Sequence, residues 1–323
     1  MNSALEWQEI DTILLAKPKT RHYDVVTIVV TFNRKDLLIK CIHSLLNQTA
    51  KTDVLIVDND SSDGTENVLL SSGLLDDERI CYLRLSSNTG GAGGFYYGMK
   101  YALTKGWCWF WLMDDDAVPD CNALGNLLSA AKVNQNHIYG SVAIDLQGDS
   151  KKLCFPTKKI VNKKSFFIED YDALSDQELI SWLPFLGFFI HRSVVSKIGL
   201  PDRDLFIRND DVEYSERAKK YGSKIYMIKK SIIRHPYQPT ISFNFFEKKI
   251  YYRSMPPWKI YYEVRNKIIV SRKYYSILPS IVSFAGVTFQ VLMGLVVEKN
   301  RYLYLRSFFR GIVDGIRFTP KVG

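Results

Sequence analysis

Three consecutive carboxylates, Asp114, Asp115 and Asp116, directly follow a run of bulky apolar residues in the 323-residue chain. The apolar run, residues 108–113, is typical of a fully buried strand. Adjacent anions at the end of such a strand repel one another unless a cation compensates them. Asp114 and Asp116 point the same way on an extended backbone, because side chains alternate along a strand. The pattern indicates a Mg²⁺ or Mn²⁺ site shared with a phosphate-bearing substrate, and a solvated acidic turn is the alternative.

Four segments with the character of buried strands alternate with segments of helical spacing before residue 114. The strand segments are residues 25–31, 53–58, 80–85 and 107–113, and the helical segments are residues 36–48, 65–75 and 95–105. This alternation predicts an α/β fold with a mostly parallel sheet and right-handed crossovers. Open sheets of this kind bind ligands at the carboxyl ends of their strands. We therefore expect four loops to face one crevice through Asn33, Asp58, Asn88 and Asp114.

A glycine-rich stretch, residues 90–94 (Gly-Gly-Ala-Gly-Gly), follows the third predicted strand. Its spacing differs from the G-x-G-x-x-G of dinucleotide-binding folds, which also follows the first strand rather than the third. Glycines allow a ligand to approach the backbone closely. We expect a loop that lies against a nucleotide sugar or its cation-bound pyrophosphate.

A second acidic group begins at Asp210 and Asp211, with four acidic residues between positions 210 and 216. These residues could simply begin a helix, where anions suit the helix dipole. A carboxylate at a helix entrance is also a place where a general base could be held. His235 follows the predicted strand of residues 225–233. A lone histidine is more often structural, but at a strand end in a chain with an acidic metal motif it is a candidate ligand.

The segment between the two acidic groups divides into a polar part and an apolar part. Residues 147–180 are polar and rich in lysine, which indicates a mobile or acceptor-facing insertion. Residues 182–191 are apolar and strand-like, with Gly187 marking a close backbone approach.

Charge and cysteine content narrow the class of protein. The formal net charge is +9, but residues 247–323 hold fourteen Lys and Arg against four Asp and Glu, so the basic character belongs to the C-terminal part. This distribution argues against a nucleic-acid-binding protein. The five cysteines form no C-x-x-C pair, which argues against a disulfide framework or a zinc site and favours a reducing cytosol. No signal-peptide pattern is visible at the N-terminus.

Residues 276–297 form an uncharged run of 22 residues with basic residues on both sides. The run is long enough to span a bilayer, but serines and glycines dilute it and Pro279 breaks its start. A basic, aromatic stretch, residues 301–317, follows. We expect a helical anchor at the membrane interface, with a buried or homo-oligomer-forming helix pair and a true span as alternatives.

Five ordered motifs within residues 25–270 resemble those of the family 2 glycosyltransferases with a GT-A fold. They are residues 30–34 (Val-Thr-Phe-Asn-Arg), 56–65 (Ile-Val-Asp-Asn-Asp-Ser-Ser-Asp-Gly-Thr), 88–95 (Asn-Thr-Gly-Gly-Ala-Gly-Gly-Phe), 112–116 (Leu-Met-Asp-Asp-Asp) and 206–211 (Phe-Ile-Arg-Asn-Asp-Asp), followed by His235. Within the family the motifs are most similar to those of galactofuranosyltransferases, and rhamnosyltransferases share much of the pattern. The resemblance implies a Rossmann-like, mostly parallel sheet flanked by helices.

The resemblance also implies roles in binding the donor. The nucleoside would be held by Thr31, Arg34 and Asp58, with Asp58 accepting hydrogen bonds from the base. The donor pocket would be lined by Asn88, Gly90 and Gly91, and Asp115 would contact the donor sugar or ribose.

For the chemistry, the resemblance implies that Mn²⁺ or Mg²⁺ is bound by Asp114, Asp116 and His235. Asp211 matches the position of the catalytic base, and Asp210 would contact the acceptor or the sugar beside it. We expect aromatic contacts to the acceptor from Trp182, Phe188 and Trp258. Residues 251–266 resemble the family's segment that closes over the acceptor site, and Arg265 and Asn266 lie inside that pattern.

These interpretations give three regions and a function. We expect an N-terminal extension (residues 1–24), a GT-A catalytic domain (residues 25–245) and a helical, basic, membrane-proximal region (residues 246–323). Because polymerising galactofuranosyltransferases carry a large N-terminal β domain, the short extension favours an enzyme that forms a single linkage.

The leading hypothesis is an inverting, cation-dependent transfer of galactofuranose from UDP-galactofuranose to a lipid-linked bacterial glycan. It would take place on the cytoplasmic face of the plasma membrane. The alternatives are a dTDP-rhamnose-dependent rhamnosyltransferase and a non-catalytic nucleotide-sugar-binding protein.

Overall fold

The computed structural model describes residues 21–146, 151–161, 164–236, 241–245, 248–252 and 254–319. Residues 1–20, which make up most of the expected N-terminal extension, lie outside the described residues. The chain groups into two compact units. The first contains residues 1–204 and 214–237, and the second contains residues 205–213 and 238–323.

The first unit is built on the predicted alternation of strands and helices. Its first four strands are β1 (Val25–Thr31), β2 (Asp53–Asp58), β3 (Ile80–Arg84) and β4 (Trp109–Asp114). They are joined by helices α1 (Lys35–Leu46), α2 (Thr65–Ser71) and α3 (Gly90–Lys105). The four strands run parallel in the order β3-β2-β1-β4. The expectation of a mostly parallel α/β sheet is confirmed.

The sheet then continues with strands of mixed direction. The further elements are β5 (Val118–Pro119), α4 (Ala123–Ala131), β6 (Ile138–Asp145), β7 (Lys152–Val161), β8 (Lys164–Asp170), β9 (Gln177–Leu179), β10 (Phe188–His191), α5 (Arg192–Ile198) and β11 (Ile225–His235). Beyond β4 the order is β10-β6-β11-β5. β10 is antiparallel to both of its neighbours, whereas β6 and β11 are parallel.

Hydrophobic side chains on both faces of the sheet form the core. Every residue of β1 is buried, which explains its continuous β-branched sequence, since a strand covered on both faces need not alternate apolar and polar residues. Ile28 packs in the cluster that includes Met99 of α3, and Val29 packs in the cluster that includes Leu38 of α1. Burying these strands supplies most of the hydrophobic stabilisation, at about 25 cal/mol per Å² of apolar surface.

The glycine-rich stretch is not the loop that the sequence predicted. Helix α3 begins at Gly90 rather than near residue 95. A β-carbon on Gly94 would lie 2.5 Å from a methyl of Val30, and one on Gly98 would lie 2.5 Å from a methyl of Ile28. These two glycines therefore allow the helix backbone to approach β1 closely, which is a packing role. The packing of α3 against β1 is sufficient to explain the glycines at positions 94 and 98.

Two other segments differ in detail from the sequence pattern. In the lysine-rich segment, β7 and β8 pair as an antiparallel hairpin, and the expected mobility or contact with the acceptor stays a prediction. The strand expected over residues 182–191 is confined to Phe188–His191. Gly187 has a positive φ of 85°, and a β-carbon there would lie within 2.8 Å of side-chain atoms of Ser141 and Ile233.

The second unit is mainly helical. It contains the first four residues of α6 (Asp210–Lys220), the strands β12 (Ile241–Phe245) and β13 (Lys248–Tyr252), and the helices α7 (Pro257–Tyr274), α8 (Ile277–Val297) and α9 (Arg301–Arg317). Helices α7 and α9 pack closely, because a β-carbon on Gly311 would meet the carbonyl oxygen of Tyr261 at 2.8 Å. In the part of the chain that the structure describes, no helix combines the length and apolar character needed to cross a bilayer.

Candidate active site

Asp115 is fixed at the carboxyl end of β4 by two residues from the end of β1. The two strands are in register, with Val30 opposite Asp114, so the residues that follow them meet. Thr31 Oγ1 donates a hydrogen bond to Asp115 Oδ2 at 2.7 Å, and Arg34 Nη1 lies 3.4 Å from Oδ1. Burial raises the pKa of Asp115 to about 6, although the bond from Thr31 and the charge of Arg34 act in the opposite direction.

Asp116 lies between a guanidinium and an imidazole. Arg34 Nη1 is 2.8 Å from Asp116 Oδ2, and His235 Nε2 is 3.2 Å from Oδ1. Burial opposes ionisation of Asp116, but the neighbouring His235 and the charge of Arg34 hold its pKa below the ordinary value. His235 reaches this position because β11 pairs with β5, just after the aspartates, with Ile233 opposite Pro119.

The expected set of three metal ligands is only partly brought together. Among the described residues, no three His, Cys, Asp or Glu side chains form a cluster that could hold a metal ion. Asp116 and His235 meet, and Asp114 does not complete a cluster with them. The assignment of a cation to Asp114, Asp116 and His235 therefore stays a prediction, and the structure brings two of the three residues together.

The pair nevertheless fits a cation site. Asp116 Oδ1 and His235 Nδ1 are buried and have no hydrogen-bond partner among the residues that the structure describes. Buried polar atoms are rarely left unsatisfied, and Mg²⁺ is often bound by one or two carboxylates together with water and substrate phosphates. Carboxylates suit both Mg²⁺ and Mn²⁺, and neutral imidazole is a common metal ligand.

Asp58 occupies a different position from the one expected. Its side chain is completely buried, Oδ1 accepts a hydrogen bond from the Ser61 amide at 2.8 Å, and Oδ2 accepts one from the Tyr82 hydroxyl at 2.6 Å. A carboxylate enclosed in this way orders the loop after β2 and leaves no surface for a base. The sequence reasoning missed Asp60, which has a positive φ of 63° and pairs with Arg84 at 2.9 Å.

The loops after β1, β2 and β3 are tied together by asparagines. Asn33, with a positive φ of 55°, accepts a hydrogen bond from the Ser62 amide at 2.7 Å. Asn59 donates to the Gly90 carbonyl at 3.1 Å, and Asn88 accepts from the Gly90 amide at 2.9 Å. The predicted convergence of polar loops at this edge is therefore observed. A β-carbon on Gly91 would meet nothing within 4 Å, so this residue borders open space.

The second acidic pair lies in the second unit, at the first turn of α6. Asp210 is buried, and Arg208 just before it forms a 2.8 Å ion pair with Glu263 of α7. Burial raises the pKa of Asp211, and the negative charge of Asp210 raises it further. Burial raises the pKa of Asp210 as well. Two like charges so close share their titration, so one member of the pair retains a proton well above the usual range of an aspartic acid.

The three aromatic residues expected at the acceptor lie in different environments. Phe188 is completely buried in the core, with its ring 5.2 Å from that of Phe185; its role is packing, and the expected sugar contact is corrected. Trp182 is half-buried in the first unit. Trp258 lies on the first turn of α7 and is 50% exposed.

Trp258 begins an aromatic row that sequence reasoning did not identify. Its ring is edge-on to Tyr262 at 6.4 Å, and Tyr262 stacks on Phe206 at 4.8 Å with an interplanar angle of 21°. Trp258 and Tyr262 are four residues apart, which places them on the same side of a helix. That spacing was the available signal; the contact with Phe206 depends on tertiary structure.

Comparison with known proteins agrees with this fold. The family model of glycosyl transferase family 2 matches residues 26–199, which is more than half of the chain. The protein belongs to glycosyl transferase family 2, and it is a glycosyltransferase.

Similar sequences include two galactofuranosyltransferases named GlfT1. The one from Mycolicibacterium smegmatis is 31% identical over 208 residues, covering 62% of this chain and 67% of that protein. The one from Mycobacterium tuberculosis is 33% identical over 204 residues, covering 61% of this chain and 65% of that protein. This chain thus spans about two thirds of their length. The dTDP-rhamnosyl transferase RfbF of Shigella flexneri is 25% identical over 304 residues, covering 91% and 96%.

Solved structures share the fold at low sequence identity. S. aureus TarS 1-349 in complex with UDP has a TM-score of 0.55 and 13% identity, over 89% of this chain and 79% of that one. GalNAc-T7 with UDP, GalNAc and Mn²⁺ also has a TM-score of 0.55 and 13% identity, over 85% and 57%. At this level of identity the likeness establishes the GT-A-like architecture.

Proposed function

We propose that this glycosyltransferase moves galactofuranose from UDP-galactofuranose to a lipid-linked glycan, with inversion and with a divalent cation. The observation that carries the proposal is the arrangement of Arg34, Asp115, Asp116 and His235 at one edge of the sheet. The two relatives named galactofuranosyltransferase, at 31% and 33% identity, support this choice of donor sugar. A rhamnosyl donor is the second candidate, because the named rhamnosyl transferase matches nearly the whole chain.

At the donor, each residue of this edge has a task that follows from its contacts. Asp116 and His235 would hold Mn²⁺ or Mg²⁺, with Asp114 beside them at the end of β4. The cation, when bound, acts as a Lewis acid that stabilises negative charge on the departing diphosphate. Asp115, oriented by Thr31, accepts a hydrogen bond from the donor ribose or sugar. Arg34 compensates both carboxylates so that they stay together in a buried place.

At the acceptor, Asp211 acts as the general base. It takes the proton of the attacking hydroxyl while the new bond to the anomeric carbon forms and the bond to the diphosphate breaks. Attack from the face opposite the diphosphate inverts the anomeric centre, and no carboxylate nucleophile is needed. A base with a raised pKa suits this step, since it binds the proton more firmly. Asp210 holds the acceptor beside it, and Trp258 stacks against an acceptor ring.

The second unit also offers a surface for the lipid that carries the acceptor. Helices α8 and α9 expose large apolar side chains: Ile277, Leu278, Ile281, Leu292, Val296, Tyr302, Phe309 and Ile316. Exposed basic side chains accompany them: Arg301, Arg306, Arg310 and Arg317. Apolar side chains with flanking basic residues are typical of interfacial helices that bind anionic membranes. We propose a peripheral position on the inner face of the plasma membrane.

A thermal-shift comparison tests the donor assignment without requiring turnover. The full chain is heated with UDP, dTDP or NAD, each with and without Mn²⁺. Binding to the folded state stabilises it by RT ln(1 + [L]/Kd), so UDP with Mn²⁺ is expected to give the largest shift. A larger shift with dTDP would favour the rhamnosyl donor. A shift with NAD alone, independent of metal, would contradict the proposal.

A further inference from the structure

A loop in the second unit, residues 205–209, has an unusual backbone. Phe206, Arg208 and Asn209 have positive φ values of 64°, 71° and 60°. Residues with side chains adopt this left-handed region at a cost, and several together persist only where the surroundings impose them. The loop leads directly into Asp210 and Asp211, and the Asn209 carbonyl accepts the first helical hydrogen bond, from the Glu213 amide, at 2.9 Å.

One side chain of α7 accounts for much of the loop's hydrogen bonding. Asn266 is completely buried, and its Nδ2 lies 2.8, 2.9 and 2.7 Å from the carbonyl oxygens of Leu205, Ile207 and Arg208. A primary amide has two N–H groups, so these three contacts share two protons. If the backbone of residues 205–208 followed a different path, these hydrogen bonds to Asn266 would be lost.

The neighbouring residue fixes the orientation of this amide. Arg265 Nε donates to Asn266 Oδ1 at 2.8 Å, and Arg265 Nη2 donates to the Leu205 carbonyl at 3.1 Å. Because the oxygen of the amide faces a guanidinium, its nitrogen must face the loop.

The same helix holds the loop at two further points. Tyr262, one turn before Asn266, stacks on Phe206, and Glu263 pairs with Arg208. The loop is therefore attached to one side of α7 by a ring, an ion pair and an amide.

We propose that Asn266 is a positioning residue for the transfer reaction: it holds the left-handed loop that presents Asp210 and Asp211 to the acceptor. The inference rests on the proposed role of Asp211 as the general base. Asn266 itself touches no reacting atom. Its contribution is to fix where the carboxylates lie, since small displacements of a catalytic group cost a large fraction of the rate.

The test replaces Asn266 in the full chain and separates rate from binding and stability. Asn266→Ala removes every contact to the loop, and Asn266→Asp keeps the volume but has no donor to offer three carbonyl oxygens. Both are expected to lower kcat by about 10²-fold, with the donor KM within about a factor of two of the parent value. Hydrogen exchange of the amides in residues 205–211 should become faster in both variants.

Val264→Ala is the matched control. Val264 is also completely buried on α7, and it packs against α9, where its Cβ would lie 3.0 Å from a β-carbon on Gly311. This variant should lower the thermal midpoint while keeping the parent kcat and the parent exchange of residues 205–211. If Asn266→Ala does not fold, Asn266→Ser, which keeps one donor, should give an intermediate kcat.

Two results would overturn the inference. One is a parent-like kcat in Asn266→Ala; the other is a loss of kcat in Val264→Ala as large as that in the Asn266 variants. Asp211→Asn, measured in parallel, separates this inference from the proposed function. Full turnover by Asp211→Asn would remove the base assignment, whereas an inactive Asp211→Asn with a normal Asn266→Ala would remove only the positioning role.

Discussion

Arg34 compensates two adjacent carboxylates with one guanidinium nitrogen, lying 2.8 Å from Asp116 and 3.4 Å from Asp115. The loop after β1 and the loop after β4 are thereby joined electrostatically, at the edge where a phosphate-bearing donor would bind. Without this guanidinium, two largely buried anions would lie next to each other with no positive charge from Arg34 to compensate them.

Replacing Arg34 should therefore reduce activity more than stability. We expect Arg34→Ala to lower kcat/KM for the donor by about 10²-fold or more, because truncating one partner of a buried, hydrogen-bonded charge pair at a binding site costs about 2–5 kcal/mol of binding free energy. The Arg34 side chain is half-exposed, so the loss should lie at the low end of that range. Arg34→Lys keeps the charge but not the planar guanidinium. Its kcat/KM should therefore lie between the values of the parent and of Arg34→Ala. Equal kcat/KM for all three proteins would contradict the role of Arg34.

The metal assignment predicts unequal effects of substitutions at Asp114 and Asp116. Asp116→Asn should raise the Mn²⁺ concentration needed for half-maximal activity at least tenfold, since an amide is a weaker ligand than a carboxylate. Asp114→Asn should raise it less, because Asp114 is not clustered with Asp116 and His235. A titration of activity with Mn²⁺ measures both. The opposite order would assign the cation to Asp114.

The buried acidic pair predicts a displaced pH profile. Because burial and the charge of Asp210 raise the pKa of Asp211, the fraction of ionised base falls as pH decreases through a value above the ordinary range of an aspartic acid. The rate should therefore rise with pH through neutrality. Asp210→Asn removes the neighbouring negative charge, so it should lower this pKa and move the acidic limb of log kcat to lower pH. The control is Asp314→Asn, at an aspartate of α9 that lies outside the pair, which should leave the limb unchanged. If the acidic limb of log kcat lies at the same pH in Asp210→Asn as in the parent, the charge of Asp210 does not raise the pKa of the base.

The close packing of α3 on the sheet predicts contrasting effects of two alanine substitutions. In Gly98→Ala the new methyl would lie 2.5 Å from a methyl of Ile28 and 3.0 Å from one of Val57. Both are β-branched side chains with little freedom, so the free energy of unfolding should fall by about 1–3 kcal/mol. In Gly91→Ala the methyl meets nothing within 4 Å, and helix propensity should raise stability by about 0.5–1 kcal/mol. Urea unfolding measures both, and equal changes would contradict the packing role.

The exposed ring of Trp258 predicts an effect on the acceptor alone. Trp258→Ala should raise the acceptor KM by about tenfold, the equivalent of about 1.4 kcal/mol, and leave the donor KM unchanged. Phe188→Ala provides the contrast: it should destabilise the protein by about 3–5 kcal/mol because Phe188 fills the core. Initial rates with each substrate varied in turn give the two KM values, and unfolding curves give the stability, so that an effect on acceptor binding is distinguished from an effect on folding. A parent-like acceptor KM in Trp258→Ala would remove this residue from the acceptor site.

Much of the fold could be predicted because the strands of the first unit carry a strong local signal. The unbroken β-branched run of β1 and the apolar run before Asp114 specify buried strands whatever surrounds them. The position of Phe188 could not be predicted, because an apolar residue beside a glycine is equally compatible with the hydrophobic core and with a ligand-binding surface. The predicted start of helix α3, residue 95, lies after its true start at Gly90 because glycines are poor helix formers. In the structure, tertiary packing against β1 outweighs that preference.

The sequence predicted which loops form the candidate site but not how their side chains contact one another. Parallel strands bring their carboxyl ends to one edge, so the convergence of the loops after β1, β2, β3 and β4 followed from topology. Which carboxylate meets His235 depends on the pairing of β5 with β11, and the buried position of Asp58 depends on Tyr82 of the next strand. The left-handed loop before Asp210 has no local sequence signal, because Phe206 and Arg208 ordinarily avoid that conformation.

The most direct test of the proposed function is a transfer assay with both candidate donors. The full chain is incubated with Mn²⁺, a polyprenyl-diphosphate-linked saccharide acceptor and either UDP-galactofuranose or dTDP-rhamnose, and the release of UDP or dTDP is measured together with the mass of the product. We predict release of UDP, an acceptor heavier by one hexose, and the loss of both in Asp211→Asn. Release of dTDP with a deoxyhexose product, or unchanged transfer by Asp211→Asn, would contradict the account.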